Sequence, residues 1–205
     1  MMRRFFSDRT AASAAEFALV LPAALILLFG IIDVGRYAWQ LNEYEKATQM
    51  GVRHAVVTNL VSAALADDTL TYVGDESCGA ALLPGQRICA DALGTITCTS
   101  SGCTCTGNCP TNANTIDSDA FNALVARMQT YQPRLEASQV QISYSGSGIG
   151  FAGDPNKPEI SPIVTVRIDN ARYDSIGLSL VGGTIALPDF SYSLPLEDAQ
   201  GSASS

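Results

Sequence analysis

The sequence is poor in the groups that usually carry chemistry. Its 205 residues include a single histidine, His54. It has no Gly-x-Ser-x-Gly elbow and no glycine-rich phosphate loop of the usual form. His54 lies in a helical pattern, and nothing in the sequence marks a serine or cysteine partner for it, so it reads as a surface histidine rather than a general base. No catalytic constellation emerges, which argues against an enzyme, and no cofactor is implied. Basic residues are also scarce: 12 Lys and Arg against 20 Asp and Glu give a formal charge of -8. From Arg36 onward, 9 basic residues face 17 acidic ones. So acidic a domain lacks the clustered cations that neutralise phosphates, which excludes nucleic acid as a partner. It also argues against a domain lying flat on anionic lipid.

What the chain does have is an apolar run from Arg9 to Arg36, with no charged residue between Phe17 and Ile32 and one carboxylate, Glu16, at its mouth. Phe17 to Ile32 alone is short for a bilayer core of about 30 Å, which takes about 20 helical residues. The small residues from Ala11 to Ala15 make up the length, with Glu16 in or near the interface. A carboxylate there costs a few kcal/mol and points to a functional role. Pro22, about a turn and a half past Glu16, removes one backbone hydrogen bond and should kink or loosen the helix. Arg3, Arg4 and Arg9 precede the run against Asp8, and no basic excess comes after it, which places the N-terminus in the cytoplasm and the rest outside. The run does not lead into the small-x-small site of a secretory signal peptide.

From Arg36 the pattern turns one-sided. Tyr37, Leu41, Tyr44, Thr48, Val52 and Ala55 recur at the spacing of one helical face. No proline falls between Ala23 and Leu83, so a single helix is expected over 12–66, its membrane part about 12–35, with Asp67-Asp68 as a stop. Beyond it the pattern predicts short strands at 69–73, 139–144 and 163–168 and a last strand or strands over 185–187 and 190–194. A helix is expected over 117–127, capped by Asp or Ser. Residues 146–158 read as a turn region, and the tail at 199–205 as disordered.

All six cysteines, Cys78, Cys89, Cys98, Cys103, Cys105 and Cys109, fall in a loop over 78–110 dense in Gly, Thr and Ser. An even, clustered count in an exported domain predicts disulfides, with fifteen pairings open. Cys103-Thr104-Cys105 is a poor zinc spacing. Asp154, Asn156 and Glu159 do not match a calcium loop and read as a turn. Asp75-x-Ser77-x-Gly79 fails the Asp-x-Ser-x-Ser adhesion pattern at its last place. No metal site is expected.

The stretch Ala12-Ser13-Ala14-Ala15-Glu16-Phe17-Ala18-Leu19-Val20-Leu21-Pro22, continued by Gly30-Ile31-Ile32-Asp33-Val34-Gly35-Arg36, resembles the TadE-like family, pseudopilins or minor pilins of the tight-adherence (Flp) pilus system. Gly51-Val52-Arg53 resembles the family's amphipathic continuation. The resemblance implies membrane insertion and cleavage by a prepilin peptidase between Ala11 and Ala12, with alanine where the family usually has glycine before the cut. Glu16 is then the fifth mature residue. Its carboxylate could pair with a neighbouring subunit's new ammonium and set the register of stacked helices. Asp33 and Arg36, three apart, could pair at the helix exit. The expected fold is α+β and pilin-like, with a cytoplasmic leader at 1–11 and a small antiparallel sheet domain over 67–198. The expected partners are other pilins, an inner-membrane assembly platform, the peptidase and membrane lipid. The competing expectation is a single-pass anchored binding protein, periplasmic or at the surface, that never enters a fibre.

Overall fold

The computed structural model describes residues 9–66, 70–153, 159–179 and 183–197. In chain order the elements are α1 (Arg9–Ala55), α2 (Ala63–Ala66), β1 (Thr95–Thr99), β2 (Gly102–Thr106), α3 (Ser118–Gln129), β3 (Val140–Ser145), β4 (Ile163–Ile168), β5 (Arg172–Tyr173), α4 (Ile176–Ser179), β6 (Ile185–Ala186) and β7 (Phe190–Pro195). A long apolar N-terminal helix thus precedes a small antiparallel sheet domain with disulfide-bonded cysteines. The chain divides into two compact units, Met1–Asn42 with Arg172–Leu187, and Glu43–Ala171 with Pro188–Ser205.

The first unit takes the N-terminal part of α1, which continues through Pro22. Every residue from 14 to 32 is exposed. The rest of the unit is a short excursion in which β5 pairs antiparallel with β6, Arg172 opposite Ala186 and Tyr173 opposite Ile185. Helix α4 lies between these strands in sequence. Within the stretch 67–198, expected as one exported domain, Arg172–Leu187 clusters with the helix.

The second unit is built on a five-stranded sheet in the order β2-β1-β3-β4-β7. Strand alternation sends Val140, Ile142 and Tyr144 of β3, and Val164, Val166 and Ile168 of β4, to one buried face. The register lays Ile142 opposite Val166 and Tyr144 opposite Val164, so these side chains pack in cross-strand pairs. Each fully buried side chain of this kind contributes roughly 1.5–3 kcal/mol. The buried Tyr144 hydroxyl accepts the Val61 N–H at 3.0 Å, tying the segment after α1 to the sheet. The C-terminal part of α1 adds Tyr44, Ala47, Thr48, Val52 and Ala55 to the core. Tyr44 stacks on Phe190 of β7 with ring centroids 5.4 Å apart. Asp117 caps α3, accepting the N–H groups of Asp119 and Ala120, and Phe121, Leu124, Val125 and Met128 form its buried face.

Three expectations need correction. The helix ends at Ala55, not Ala66. Val56, Val57 and Thr58 form a β-branched run that disfavours further turns. Val57 N–H tightens onto the His54 carbonyl at 3.3 Å, and the Thr58 hydroxyl donates to the same oxygen at 2.7 Å. The expected stop at Asp67-Asp68 lies outside the described residues. Residues 70–73 are not a strand; buried Tyr72 instead donates its N–H to the Glu159 carboxylate at 2.8 Å. The cysteine-rich loop contains the β1–β2 hairpin, in which Cys98 and Cys103 face each other and are bonded. The other disulfides are Cys78–Cys89 and Cys105–Cys109.

Close approach explains Gly146. A Cβ placed there would lie 1.8 Å from the carbonyl oxygen of Ala90, where backbone cannot yield cheaply. Gly146→Ala should therefore lower the thermal midpoint of the protein in detergent markedly, by the equivalent of about 3 kcal/mol or more. Gly35→Ala, where nothing lies within 4 Å, should leave it unchanged or slightly raised.

Candidate membrane and assembly site

The site begins with what α1 leaves uncovered. A core helix of a soluble protein hides its apolar side chains. Here Phe17 is 65% exposed, Leu19 79% and Ile26 74%. The helix is long and apolar enough to cross a membrane by length and composition, and is a candidate anchor. Glu16 is exposed at its start. Twenty residues separate Glu16 from Arg36, about 30 Å of helix and the thickness of a hydrocarbon core. Ala11 and Ala12 both lie within α1, whereas residues 1–8 of the expected leader are outside the described part, as is the tail at 199–205.

At the far end of the run stands Asp33. Its carboxylate accepts four hydrogen bonds from one short segment. The Tyr173 hydroxyl donates at 3.0 Å, the Ser175 hydroxyl at 2.8 Å, the Ile176 N–H at 2.8 Å and the Gly177 N–H at 3.0 Å. The two backbone donors belong to the first residues of α4, so an acid on one helix closes the open end of another. An ionised carboxylate offers about four acceptor positions, and this arrangement fills them. The Arg36 guanidinium lies over the Tyr173 ring, 5.9 Å from its centroid, and Tyr37 meets the same ring edge-on at 5.5 Å. Asp33 and Arg36 thus come together on Tyr173, the former by hydrogen bonds and the latter by cation–π attraction.

Sequence reading singled out Asp33 and Arg36 but missed Tyr173, Ser175, Ile176 and Gly177. Two signals pointed to them. A carboxylate one turn inside an apolar run needs donors from somewhere, and Ser175 to Leu187 is one of several later stretches without charge.

Residues 11–53 match the model of the TadE-like protein family. The match spans the uncovered helix, Glu16, Asp33 and Arg36, and confirms over that stretch the resemblance read from the sequence. No curated protein and no solved structure matches the chain.

The remaining candidates fall outside this stretch or at its end. Asp154 and Asn156 lie outside the described residues. Asp75 accepts the Ser77 N–H at 2.7 Å, a local turn, on an open groove of about 520 Å³ lined also by Tyr72, Glu76 and Asn108. Burial pushes the Tyr72 phenol up to about 12, helped by Asp75 and Glu159. His54 corrects an expectation, for it is buried, only 6% exposed, rather than on the surface. Burial first, and the nearby Arg127 charge second, hold its imidazole below the ordinary histidine range. A depressed histidine binds fewer protons folded than unfolded. The protein should therefore hold its full stability above about pH 6.5 and lose it as pH falls from there toward the lowered value. Thermal melts in detergent from about pH 7.5 to about pH 5 should show this fall, and His54→Gln should flatten it.

Proposed function

We propose that this chain is a membrane-anchored minor pilin, taking part in assembly of a tight-adherence (Flp-type) pilus or related secretion apparatus and so supporting adhesion and biofilm formation. The observation that carries the reading is the coincidence of the uncovered apolar stretch, with Glu16 at its mouth, and the TadE-like match over 11–53. Such a surface suits two environments in succession, lipid before assembly and neighbouring pilin helices after it. The N-terminus is cytoplasmic and the sheet domain periplasmic or on the fibre. The role is structural rather than enzymatic, and the partners are other pilins, an inner-membrane assembly platform, a prepilin peptidase and membrane lipid.

In this reading the peptidase cuts between Ala11 and Ala12. The new ammonium at Ala12 of one subunit then meets the Glu16 carboxylate of its neighbour. In low dielectric, leaving either charge alone is costly, so the pair fixes helix register.

N-terminal sequencing of the mature protein from cells that carry the peptidase should begin at Ala12; an intact Met1 or Met2 terminus would favour an anchored binding protein outside any fibre. Glu16→Ala should leave the protein in the membrane at unchanged level but reduce its recovery with sheared pili by about tenfold or more, as expected when one buried charge loses its partner. Unchanged recovery would remove the register role.

A further inference from the structure

Strands β4 and β7 are adjacent and antiparallel, with Ile168 opposite Phe190. Such neighbours are normally joined by a hairpin of about 2–5 residues. Here the connection takes residues 169–189 and returns to the same register. Its base is held by one cation, because Arg167 pairs with Asp169 and, at 2.7 Å, with Asp189, the first and last residues of the excursion. A long connection closed in this way is a built element rather than slack.

Three observations say where it belongs. Its segment Arg172–Leu187 clusters with the apolar part of α1. It is docked on about two turns at one end of that helix's apolar run, through Asp33, Arg36, Tyr37 and Gln40, whose amide donates to the Arg172 carbonyl at 3.4 Å. Its own sequence from Ser175 to Leu187 carries no charge, and Ile185, opposite Tyr173 in the β5–β6 ribbon, is exposed. Around this level stand Tyr37, Trp39, Tyr173, Arg36 and Arg172, with Trp39 69% exposed. Aromatic rings and cations at the end of an apolar helix are the composition of a membrane–water interface.

We propose that the described parts of this connection, residues 172–179 and 183–187, form a second membrane-contacting element, an interfacial flap that Asp33 latches to the end of the transmembrane helix and that rests Ile185 in the headgroup and upper acyl region of phospholipid. The inference rests on the membrane reading of α1. The latch solves a local problem as well. Asp33 lies one turn inside Arg36, where water thins out, and the flap supplies the donors that water would otherwise provide. The flap in return has its first backbone N–H groups satisfied at a depth where loose ends are costly.

The chain has a single tryptophan, Trp39, which allows a direct test. The full-length protein is reconstituted into phosphatidylcholine vesicles whose acyl chains are brominated near the headgroup. Fluorescence quenching is compared for the native protein and for the Trp39→Phe/Ile185→Trp variant. Both indoles should be quenched to within about twofold of each other, as two groups at one interface. Adding Asp33→Ala to the variant should cut the quenching at position 185 by about half or more, since the donors then lose their acceptor. Should Ile185→Trp disturb the fold, Trp39→Phe/Ala186→Trp reports from the neighbouring exposed position. Quenching of Trp39 without quenching at 185 or 186 would overturn the flap while leaving the anchor standing. No quenching of Trp39 would remove the membrane reading itself, and the flap with it. Quenching at 185 that is indifferent to Asp33→Ala would overturn the latch.

Discussion

An apolar surface that its own chain does not cover must be covered by something else, and this constraint shapes the protein. Twelve large apolar side chains between Phe17 and Val34 are exposed. Hiding them would contribute on the order of 20 kcal/mol, more than the whole stability of an ordinary domain, roughly 5–15 kcal/mol. An exposed surface of this size is what makes the helix a candidate membrane anchor. Glu16 and Arg36 bracket the surface, and Asp33 is provided with donors rather than left to solvent.

The second unit meets the opposite requirement, since it must close its own core. It does so with one buried sheet face and the far part of α1. Gly51 permits that helix to approach α3 closely; a Cβ there would lie 2.8 Å from the Met128 side chain. Of three short disulfides, Cys98–Cys103 and Cys105–Cys109 reinforce the side of the sheet where β2 forms an edge, and Cys78–Cys89 closes the loop before it. Loops this short contribute about 2–3 kcal/mol each by chain entropy. That is a useful addition for a small domain whose burial and ordering terms nearly cancel.

Much of this was legible before any coordinates. The apolar run, the helical face at Tyr44, Thr48, Val52 and Ala55, the Asp117 cap and the alternation of Ile163–Ile168 are local patterns, and each sits where its period places it. What the sequence did not reveal depends on distant partners. Nothing local says that Thr58 will turn back onto His54, that Glu159 will take the Tyr72 N–H in place of a strand neighbour, or that β1 and β2 lie within the cysteine-rich stretch. His54 looked superficial because its neighbours in sequence are mixed; its burial comes from packing in the second unit. The Asp33 latch joins residues some 140 positions apart, and no periodicity records such a pairing.

The disulfides also carry an instruction about time. Each joins a cysteine to the next one along the chain, Cys78 to Cys89, Cys98 to Cys103 and Cys105 to Cys109. A chain emerging N-terminus first meets its thiols in that order. An oxidant that simply bonds each newly arrived pair yields the native set, with no reshuffling. All three bonds can close before α3, β3, β4 or β7 has appeared. The hairpin that β3 must pair with is then already set when β3 arrives. Of the fifteen arrangements open to six cysteines, the protein uses the one in which no thiol has to wait for a partner beyond its nearest neighbour.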